Sequence, residues 1–309
     1  MTLAQKIRSH FLDRVVPDAV FQISPAFVSG IRVSKKDRSI RGGFVLPLRD
    51  RPLSPSFDRP NLTGPEEVAD AIVRGMKNLR LASGSAAILI PEPAVRVFVL
   101  GVESFPGSGR EREAFLRWRI GKLMPLVPED ARIDHAASPG RGARKVIAAM
   151  ARQAVVAEYE ALFEKAGLRP DLVTVPSLTL VNLVLRNGPA NGLLLNLEDE
   201  VLTLLAVTAS GWALYRQKVV GAAGGPEAEE RFETVVREAE NTVRFLADKE
   251  KERVERLWVR AAAAAERPGL VERLGRRIGL PLEAVDYPAP EGWTEAQKAL
   301  LAPLVGQIV

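Results

Sequence analysis

Two strand-turn-strand segments, far apart in the chain, have turns that could bind a phosphate or a metal ion. Residues 193–216, LLLNLEDEVLTLLAVTASGWALYR, place the acidic turn Glu198-Asp199-Glu200 between two apolar runs. Residues 20–36, VFQISPAFVSGIRVSKK, form a similar unit near the N-terminus. Short apolar runs bounded by turn residues predict β-hairpins. The N–H groups of tight turns bind phosphate and carboxylates bind Mg²⁺, so both turns are candidates for this chemistry.

The composition is that of an ordinary globular protein and excludes several kinds of site. The chain has 309 residues, of which 47% are hydrophobic and 26% charged, which suits two domains of roughly 150 residues. There is no cysteine and there are two histidines, His10 and His135, so disulfides, thiolate metal sites and histidine relays are implausible. The pI is 9.6. Because the basic residues are dispersed and carry no interleaved aromatics, we expect no nucleic-acid partner.

The N-terminal residues predict an amphipathic helix rather than a signal or a membrane span. Residues 1–16 have no long apolar core, and the chain has no run of about 18 apolar residues. Leu3, Ile7, Phe11 and Val15 recur at helical spacing. Such a helix packs on its own domain, docks on a partner or lies on a membrane surface.

The order of the predicted elements repeats along the chain. Strands come first, and helices and strands then alternate, once in each half. This order predicts two α/β lobes, each with a mixed sheet flanked by helices. Two longer helices are predicted at residues 110–126, ended by Pro125 and Pro128, and at about residues 227–252.

This order resembles the actin-like ATPase fold, which is a two-lobed, ribonuclease H-like α/β fold. More narrowly, the chain resembles the PilM family of type IV pilus assembly proteins and the related cytoplasmic part of the type II secretion protein GspL. Four segments carry the resemblance: AAILIPEPAVRVFVL, EAFLRWRIGKLMPLVPEDARIDHAA, KVIAAMARQAVVAEYEALFEKAGLRPDLVTVPSLTLVNLV and LLLNLEDEVLTLLAVTASGWALYRQKVVG.

The resemblance implies a division of the chain. Lobe I is expected at residues 1–190, with an inserted subdomain at about 85–143, and lobe II at 191–309. Lobe II is expected to be trimmed, because Gly221 to Arg231 is too short for the helical segment that PilM-like chains have between the lobe II strands and the long helix.

The resemblance also implies a nucleotide site, whose first phosphate loop is degenerate here. The family's loop begins Asp-Ile-Gly and continues through small residues to a lysine. The corresponding positions are Gln22, Ser24 and Ser29, respectively. Pro25 removes an N–H donor, and Phe27 places a ring where small residues stand in the family.

The second phosphate loop and the adenosine element depart from the family as well. Asn196 and Glu198 stand at the positions of the second loop's aspartate and glycine, and Ala261 and Ala262 replace the adenosine glycines. At roughly 5 Å and an effective dielectric near 20, each acid of the turn would cost about 3 kcal/mol against a nucleotide charge. We therefore expect no ATP, no magnesium and no catalysis, and thus a pseudo-ATPase. The alternatives are an active actin-like ATPase driving assembly and a sugar-kinase or nuclease relative, which would need acids where Gln22 and Asn196 stand.

The function that the resemblance implies is a non-catalytic scaffold in the cytoplasm, peripheral to the inner membrane. It would belong to a pilus or secretion assembly platform and bind the N-terminal tail of a PilN-like bitopic membrane protein, alongside other platform components. The tail would lie between the lobe I core and the inserted subdomain, as an added strand or in an apolar groove. GspL-type chains continue into a membrane span after the region of LLAPLVGQIV, whereas this sequence does not, which favours a separate membrane partner. The residues expected to bind the partner, unless their side chains fill the subdomain core, are Val97, Val99, Phe115, Trp118 and Met124.

Overall fold

The computed structural model describes residues 16–138, 145–186, 191–222 and 228–309. The amphipathic helix predicted from Leu3 to Val15 lies outside the described residues. Within the described ranges, no helix is both long enough and apolar enough to cross a membrane.

The helices and strands alternate much as the sequence predicts. The strands are β1 (Ala19–Ile23), β2 (Phe27–Val33), β3 (Ile40–Pro47), β4 (Gly84–Leu89), β5 (Arg96–Gly101), β6 (Ala131–Ala137), β7 (Lys145–Arg152), β8 (Leu168–Thr174), β9 (Gly192–Glu198), β10 (Val201–Thr208), β11 (Gly211–Val219), β12 (Arg256–Ala261) and β13 (Leu282–Ala284). The α-helices are α1 (Pro65–Asn78), α2 (Gly109–Gly121), α3 (Gln153–Lys165), α4 (Pro176–Val184), α5 (Ala228–Phe245), α6 (Arg267–Ile278) and α7 (Glu295–Gly306). A 3₁₀ turn at Glu92–Ala94 joins β4 to β5.

Two five-stranded sheets have the same topology. Their strand orders are β3-β2-β1-β4-β8 and β11-β10-β9-β12-β13. In each sheet the first three strands along the chain pair antiparallel, and the other two are added in parallel. The prediction of two lobes with mixed sheets is therefore confirmed.

A third sheet forms the inserted subdomain, with different bounds from those predicted. It has the order β5-β7-β6, and α2 lies between β5 and β6 along the chain. The predicted bounds, about 85–143, include β4, which pairs with β1 in the first sheet, and omit β7, which is the central strand of the third. The apolar run of β4 indicates a buried strand but does not indicate which sheet contains it. Its pairing with β1 places it in the first sheet.

The last helix packs on the first lobe, although residues 191–309 were expected to form lobe II. Helix α7 contacts α4 and the strands β1, β2 and β3. The Asn182 side-chain amide donates to the Gly306 carbonyl over 2.8 Å. A Cβ at Gly306 would lie 2.3 Å from the Thr179 carbonyl oxygen, so the glycine permits this close approach of α7 to α4. The chain thus crosses back to the first lobe after β13.

The second sheet is buried on both faces, and one face is turned toward the first lobe. Leu193, Leu195 and Leu197 pack in a core with α5 and α6. Leu194 and Trp212 belong instead to the main core, which is built largely from the first lobe. Since successive strand residues point to opposite faces, this alternation joins the two lobes through a shared apolar core.

Two predicted helices end earlier than the sequence suggests. Helix α2 stops at Gly121, before Pro125 and Pro128, in a turn whose Leu123 amide donates to the Ile120 carbonyl over 2.8 Å. Helix α5 ends at Phe245 and continues as a π-helical turn, Leu246–Glu250. In the region where trimming was expected, β11 ends at Val219 and α5 begins at Ala228.

Candidate functional site

The turn between β1 and β2 uses its own backbone donors internally. The Ser24 amide donates to the Phe27 carbonyl at 2.9 Å, and the Ala26 amide donates to Ser24 Oγ at 3.3 Å. Pro25, between them, has no N–H. Ser24 is fully buried and Phe27 is nearly so. The turn therefore lacks the row of outward N–H groups that would cradle a phosphate.

The acidic turn between β9 and β10 is paired with a cation of the first lobe. Arg51, in the loop between β3 and α1, donates to Asp199 at 3.1 and 2.6 Å and to Glu200 at 3.0 Å. Asp199 has φ of +47°, so the turn takes a left-handed step. The acids were expected to repel a nucleotide. In the structure Asp199 and Glu200 form ion pairs with Arg51 instead, and these exposed pairs connect the two lobes.

A buried polar cluster fills the space between the two hairpins. Gln22 Nε2 donates to Glu198 Oε1 at 2.5 Å, which joins the first sheet to the second. Arg260, on β12, donates through Nη1 to Asn196 Oδ1 at 2.9 Å and also to Glu198. Its Nε donates to the Ala299 carbonyl at 2.9 Å. Arg260 is 2% exposed and Glu198 8% exposed, so this is a buried ion pair with hydrogen-bond support.

The positions expected at the adenosine are buried as well. Ala261 ends β12 and is 1% exposed, and Ala262 is 8% exposed. The Ala262 amide donates to the Leu197 carbonyl at 2.9 Å. The Ala262 amide is therefore used in a hydrogen bond within the second lobe, and both alanine side chains are buried.

The residues at the lobe junction do not fit magnesium-nucleotide. Glu198 is bound to Arg260, and Gln22 and Asn196 are neutral amides in the expected places of the metal-binding aspartates. Within the described ranges, no cluster of three or more His, Cys, Asp or Glu residues could hold a metal ion. The arrangement instead serves to hold the lobes together. We call these contacts, with those of Arg51 and of Glu92 described next, the lobe seam.

The seam continues around Glu92 of the 3₁₀ turn, whose side chain contacts β11 of the second sheet. Glu92 Oε1 accepts from the Ser177 amide at 2.7 Å, and Oε2 accepts from the Tyr215 hydroxyl of β11. Gln217 Nε2 donates to the Glu92 carbonyl at 3.0 Å. Burial raises the pKa of Glu92 from 4.5 to about 7, against the lowering effect of these hydrogen bonds.

The inserted subdomain and the first lobe, in contrast, leave a groove of about 570 Å³ between them. Its floor is one face of β7, formed by Ile147, Ala149 and Ala151. Consecutive residues of β6, 132–136, and of β8, 170–174, line its walls. Helices α3 and α4 complete the lining through Val156, Glu160, Leu178, Thr179 and Asn182.

Both walls are edges of sheets. Strand β8 is the last strand of the first sheet, and β6 is an outer strand of the third. Edge strands present backbone N–H and C=O groups that are not used within their own sheet. The groove therefore combines an apolar floor with two rows of backbone partners. Charged residues of both signs also line it, namely Arg112, Arg132, Asp134, Glu160 and Asp171.

The predicted partner-binding residues lie near this groove but line other surfaces. Val97 and Val99, on β5, pair directly with Ala149 and Ile147 of β7, so their side chains lie on the same face of the sheet as the groove floor. Strand β11 packs against β5 at this place. Phe115 and Met124 pack on the subdomain core. Trp118 is 55% exposed, with Lys122 Nζ 3.7 Å from its ring centre.

Several residues of the site were not singled out from the sequence. Arg51, Arg260 and Glu92 are single charged residues without a local motif, and their partners are many positions away. The β8 wall lies within the third segment that carries the resemblance, in which no partner-binding residue was expected. A signal was available for Arg260 alone, since a charged residue inside the apolar run of β12 needs a buried partner.

Comparison with known proteins places this geometry in a structural class. No protein-family model and no curated protein matches the chain. Among solved structures, a Bacteroides thetaiotaomicron protein described as having an actin-like ATPase fold and unknown function matches with a TM-score of 0.52 and 10% identity, over 88% of this chain and 92% of that one. With the duplicated strand order, this likeness shows that the chain has an actin-like fold.

A nearer likeness is to the PilM–PilN type IV pilus biogenesis complex. The TM-score is 0.76 with 17% identity, over 96% of this chain and 98% of that chain. The cytoplasmic domain of EpsL, an inner membrane component of the type II secretion system of Vibrio cholerae, matches with a TM-score of 0.50 and 10% identity, over 79% of this chain and 81% of that chain. The resemblance that the sequence suggested is therefore confirmed at the level of the fold.

Proposed function

We propose that the chain is a non-catalytic component of a pilus or secretion assembly platform at the cytoplasmic face of the inner membrane. It binds the extended N-terminal tail of a PilN-like bitopic membrane protein in the groove between β6 and β8. The observation that carries this proposal is the groove itself, an open space with an apolar floor between two sheet edges. The likeness to a PilM–PilN complex supports the choice of partner.

An extended peptide fits the chemistry of the groove. Its backbone would pair with β6 or β8, which adds a strand to an existing sheet. Alternate side chains of the peptide would then point toward Ile147, Ala149 and Ala151, because successive residues of a strand face opposite ways. The charges of both signs at the walls would select the polar positions of the tail.

The platform role needs no nucleotide. The first hairpin turn is closed on itself, and the cluster of Gln22, Glu198 and Arg260 occupies the junction. Opening the junction would expose a buried ion pair, and hydrolysis would need acids that the cluster does not supply. We therefore propose a pseudo-ATPase that needs neither ATP nor magnesium.

Two titrations test this proposal. A labelled synthetic peptide with the first twenty or so residues of a PilN-like bitopic protein from the same organism should bind with saturable fluorescence anisotropy, whereas a scrambled peptide should not. Calorimetry with ATP and Mg²⁺ should show no binding. Failure of the peptide to bind would overturn the tail site. Micromolar ATP binding would restore the alternative, an active actin-like ATPase driving assembly.

A further inference from the structure

Three large apolar side chains project from one end of the inserted subdomain. Trp118 is 55% exposed, Leu123 62% and Leu126 76%. The other strongly exposed large hydrophobic residues in the described part of the chain, Val73, Val219 and Phe245, are scattered over α1, β11 and α5. We call Trp118, Leu123 and Leu126 the apolar tip. Scattered exposed residues are ordinary, but three within nine positions form a patch.

The tip is exposed because the subdomain core is already filled by the opposite face of α2. Leu116 and Ile120 are buried against Met150 and other core residues. The helix ends at Gly121, and the following turn carries Leu123 outward before Pro125. The apolar side chains of the tip therefore contribute nothing to this core and need another explanation.

Cations lie close to the tip along the chain. Helix α2 and its turn contain Arg110, Arg112, Arg117, Arg119 and Lys122 against Glu111 and Glu113, and Glu129 and Asp130 follow Leu126. Arg112, Arg117 and Arg119 also donate to backbone carbonyls of the subdomain. Glu113 lies 3.4 Å from Arg117, so part of the acidic charge is paired within the helix. The ammonium group of Lys122 lies over the Trp118 ring. An apolar tip with cations at its base is complementary to a surface with an apolar interior and negative head groups.

We infer that the apolar tip is a membrane contact, in which Trp118, Leu123 and Leu126 enter the head-group region of an anionic bilayer and Lys122 pairs with lipid phosphate. Tryptophan and lysine both combine an apolar body with a polar end, and both lie stably at a membrane interface. Side chains that project this far from a turn suit insertion into lipid, whereas a protein partner would need a matching hollow.

Aromatic rings connect the tip to the groove. The His135 ring, on the β6 wall, lies 5.0 Å from Phe105, which lies 5.9 Å from Phe115, which lies 6.1 Å from Trp118. If the tip touches the bilayer, the groove lies at a short fixed distance from it. This part of the inference rests on the proposed function, since a tail that emerges from the membrane would then enter the groove without crossing open solvent.

Vesicle binding tests the inference on the full chain. We expect the purified protein to sediment with vesicles of phosphatidylcholine containing one third phosphatidylglycerol, and much less with phosphatidylcholine alone. The double variant Leu123→Ser/Leu126→Ser should lower the partition coefficient by about tenfold or more, and Lys122→Glu should lower it on the anionic vesicles. The matched control, Val73→Ser/Val219→Ser, removes two exposed apolar side chains elsewhere and should bind as the unchanged chain does.

Tryptophan emission gives a readout at the residue itself. Trp212 and Trp258 are buried and Trp293 is half-buried, whereas Trp118 is exposed, so insertion should shift the emission to the blue. The variant Trp118→Phe should remove most of that shift while vesicle binding persists. Absence of binding to anionic vesicles, or equal losses in the tip and control variants, would overturn the inference. Saturable binding of an acidic protein to the tip without vesicle binding would do the same.

Failure of this inference can be told apart from failure of the proposed function. The variant Leu123→Ser/Leu126→Ser should bind the tail peptide with unchanged affinity, because neither leucine lines the groove. Tail binding without vesicle binding would remove the membrane contact only. Vesicle binding without tail binding would remove the groove proposal and leave the tip.

Discussion

The lobe seam and the groove both lie between structural units, but buried side chains fill the seam whereas the groove is open. At the seam, side chains from both lobes meet, and Arg260 and Glu198 are almost fully buried. At the groove, the facing surfaces are an apolar floor and the edges of two sheets. The charged groups of the buried cluster are paired with one another, and only Gln22 Oε1, Asn196 Nδ2 and Arg260 Nη2 of that cluster have no hydrogen-bond partner. The groove, in contrast, offers backbone groups along two strand edges and an apolar floor.

This difference indicates where the molecule is expected to bind a partner. In an actin-like fold the junction between the lobes is the expected place for a ligand, and here long charged and amide side chains occupy it. The inserted subdomain creates a second junction with small residues, Ala149 and Ala151, on its floor. Changes at the seam should therefore alter stability, and changes at the groove should alter binding.

The largest effect is expected from Arg260→Met. The substitution leaves Glu198 buried without its cation, which typically costs about 3 to 5 kcal/mol. Urea unfolding followed by circular dichroism would measure the loss. The double variant Arg260→Met/Glu198→Gln should recover much of it, since no charge then remains buried. A loss below about 1 kcal/mol for the single variant would show that the pair does not hold the lobes together.

The second effect concerns pH and Glu92. Because the pKa of this acid is raised by burial from 4.5 to about 7, the folded state binds the proton more tightly than the unfolded state does. This contribution to stability is fully present below about pH 4.5 and is lost as the pH rises through about 7. The shift corresponds to a free-energy difference on the order of 3 kcal/mol.

The variant Glu92→Gln isolates this contribution. Its free energy of unfolding should change much less between pH 5 and pH 8 than that of the unchanged chain, because glutamine does not titrate. An identical pH dependence in the two proteins would assign the titration to another group.

A moderate effect on binding, without one on stability, is expected from Ala149→Leu. The larger side chain would occupy part of the space above the groove floor. It should lower the affinity for the tail peptide by about tenfold, or about 1.4 kcal/mol. Fluorescence anisotropy would measure the affinity. Val97→Leu, on the same sheet face but on β5, is the matched control. If Val97→Leu lowered the affinity for the peptide more than Ala149→Leu does, the binding site would lie on β5, where the sequence predicted it.

The smallest effect is expected from Arg51→Ala at the outer part of the seam. The Arg51 side chain is 46% exposed, and exposed ion pairs usually contribute less than about 1 kcal/mol. The difference from the unchanged chain should shrink further at high salt, because ions screen exposed charges. A loss as large as that of Arg260→Met would place the main lobe contact outside the buried cluster.

Much of the fold could be predicted because its signals are local. The two hairpins are marked by short apolar runs and turn residues, and helix α1 by Pro65 and the acids that follow it. The degenerate loop positions could also be read directly, because Gln22 and Asn196 are neutral where acids were expected. The apolar run of β4 is typical of a strand, but its place in the first sheet depends on pairing with β1.

The contacts that close the seam could not be predicted, because they join distant positions. Arg260 and Glu198 are 62 residues apart, and Arg51 and Asp199 are 148 apart. Read alone, the acids of the second turn indicate repulsion of a nucleotide, whereas the fold supplies their cations. The groove depends on how the third sheet docks on the first lobe, and no run of residues records that geometry.

The inserted subdomain touches the second lobe as well as the first. The Trp212 amide of β11 donates to Ser138 Oγ at 2.8 Å, and Lys145 lies 3.6 Å from Glu250. A tail seated against β6 would press on a body already linked to the far lobe. A load applied through β6 would therefore act on contacts with both lobes at once, and on the second lobe through Ser138 and Lys145.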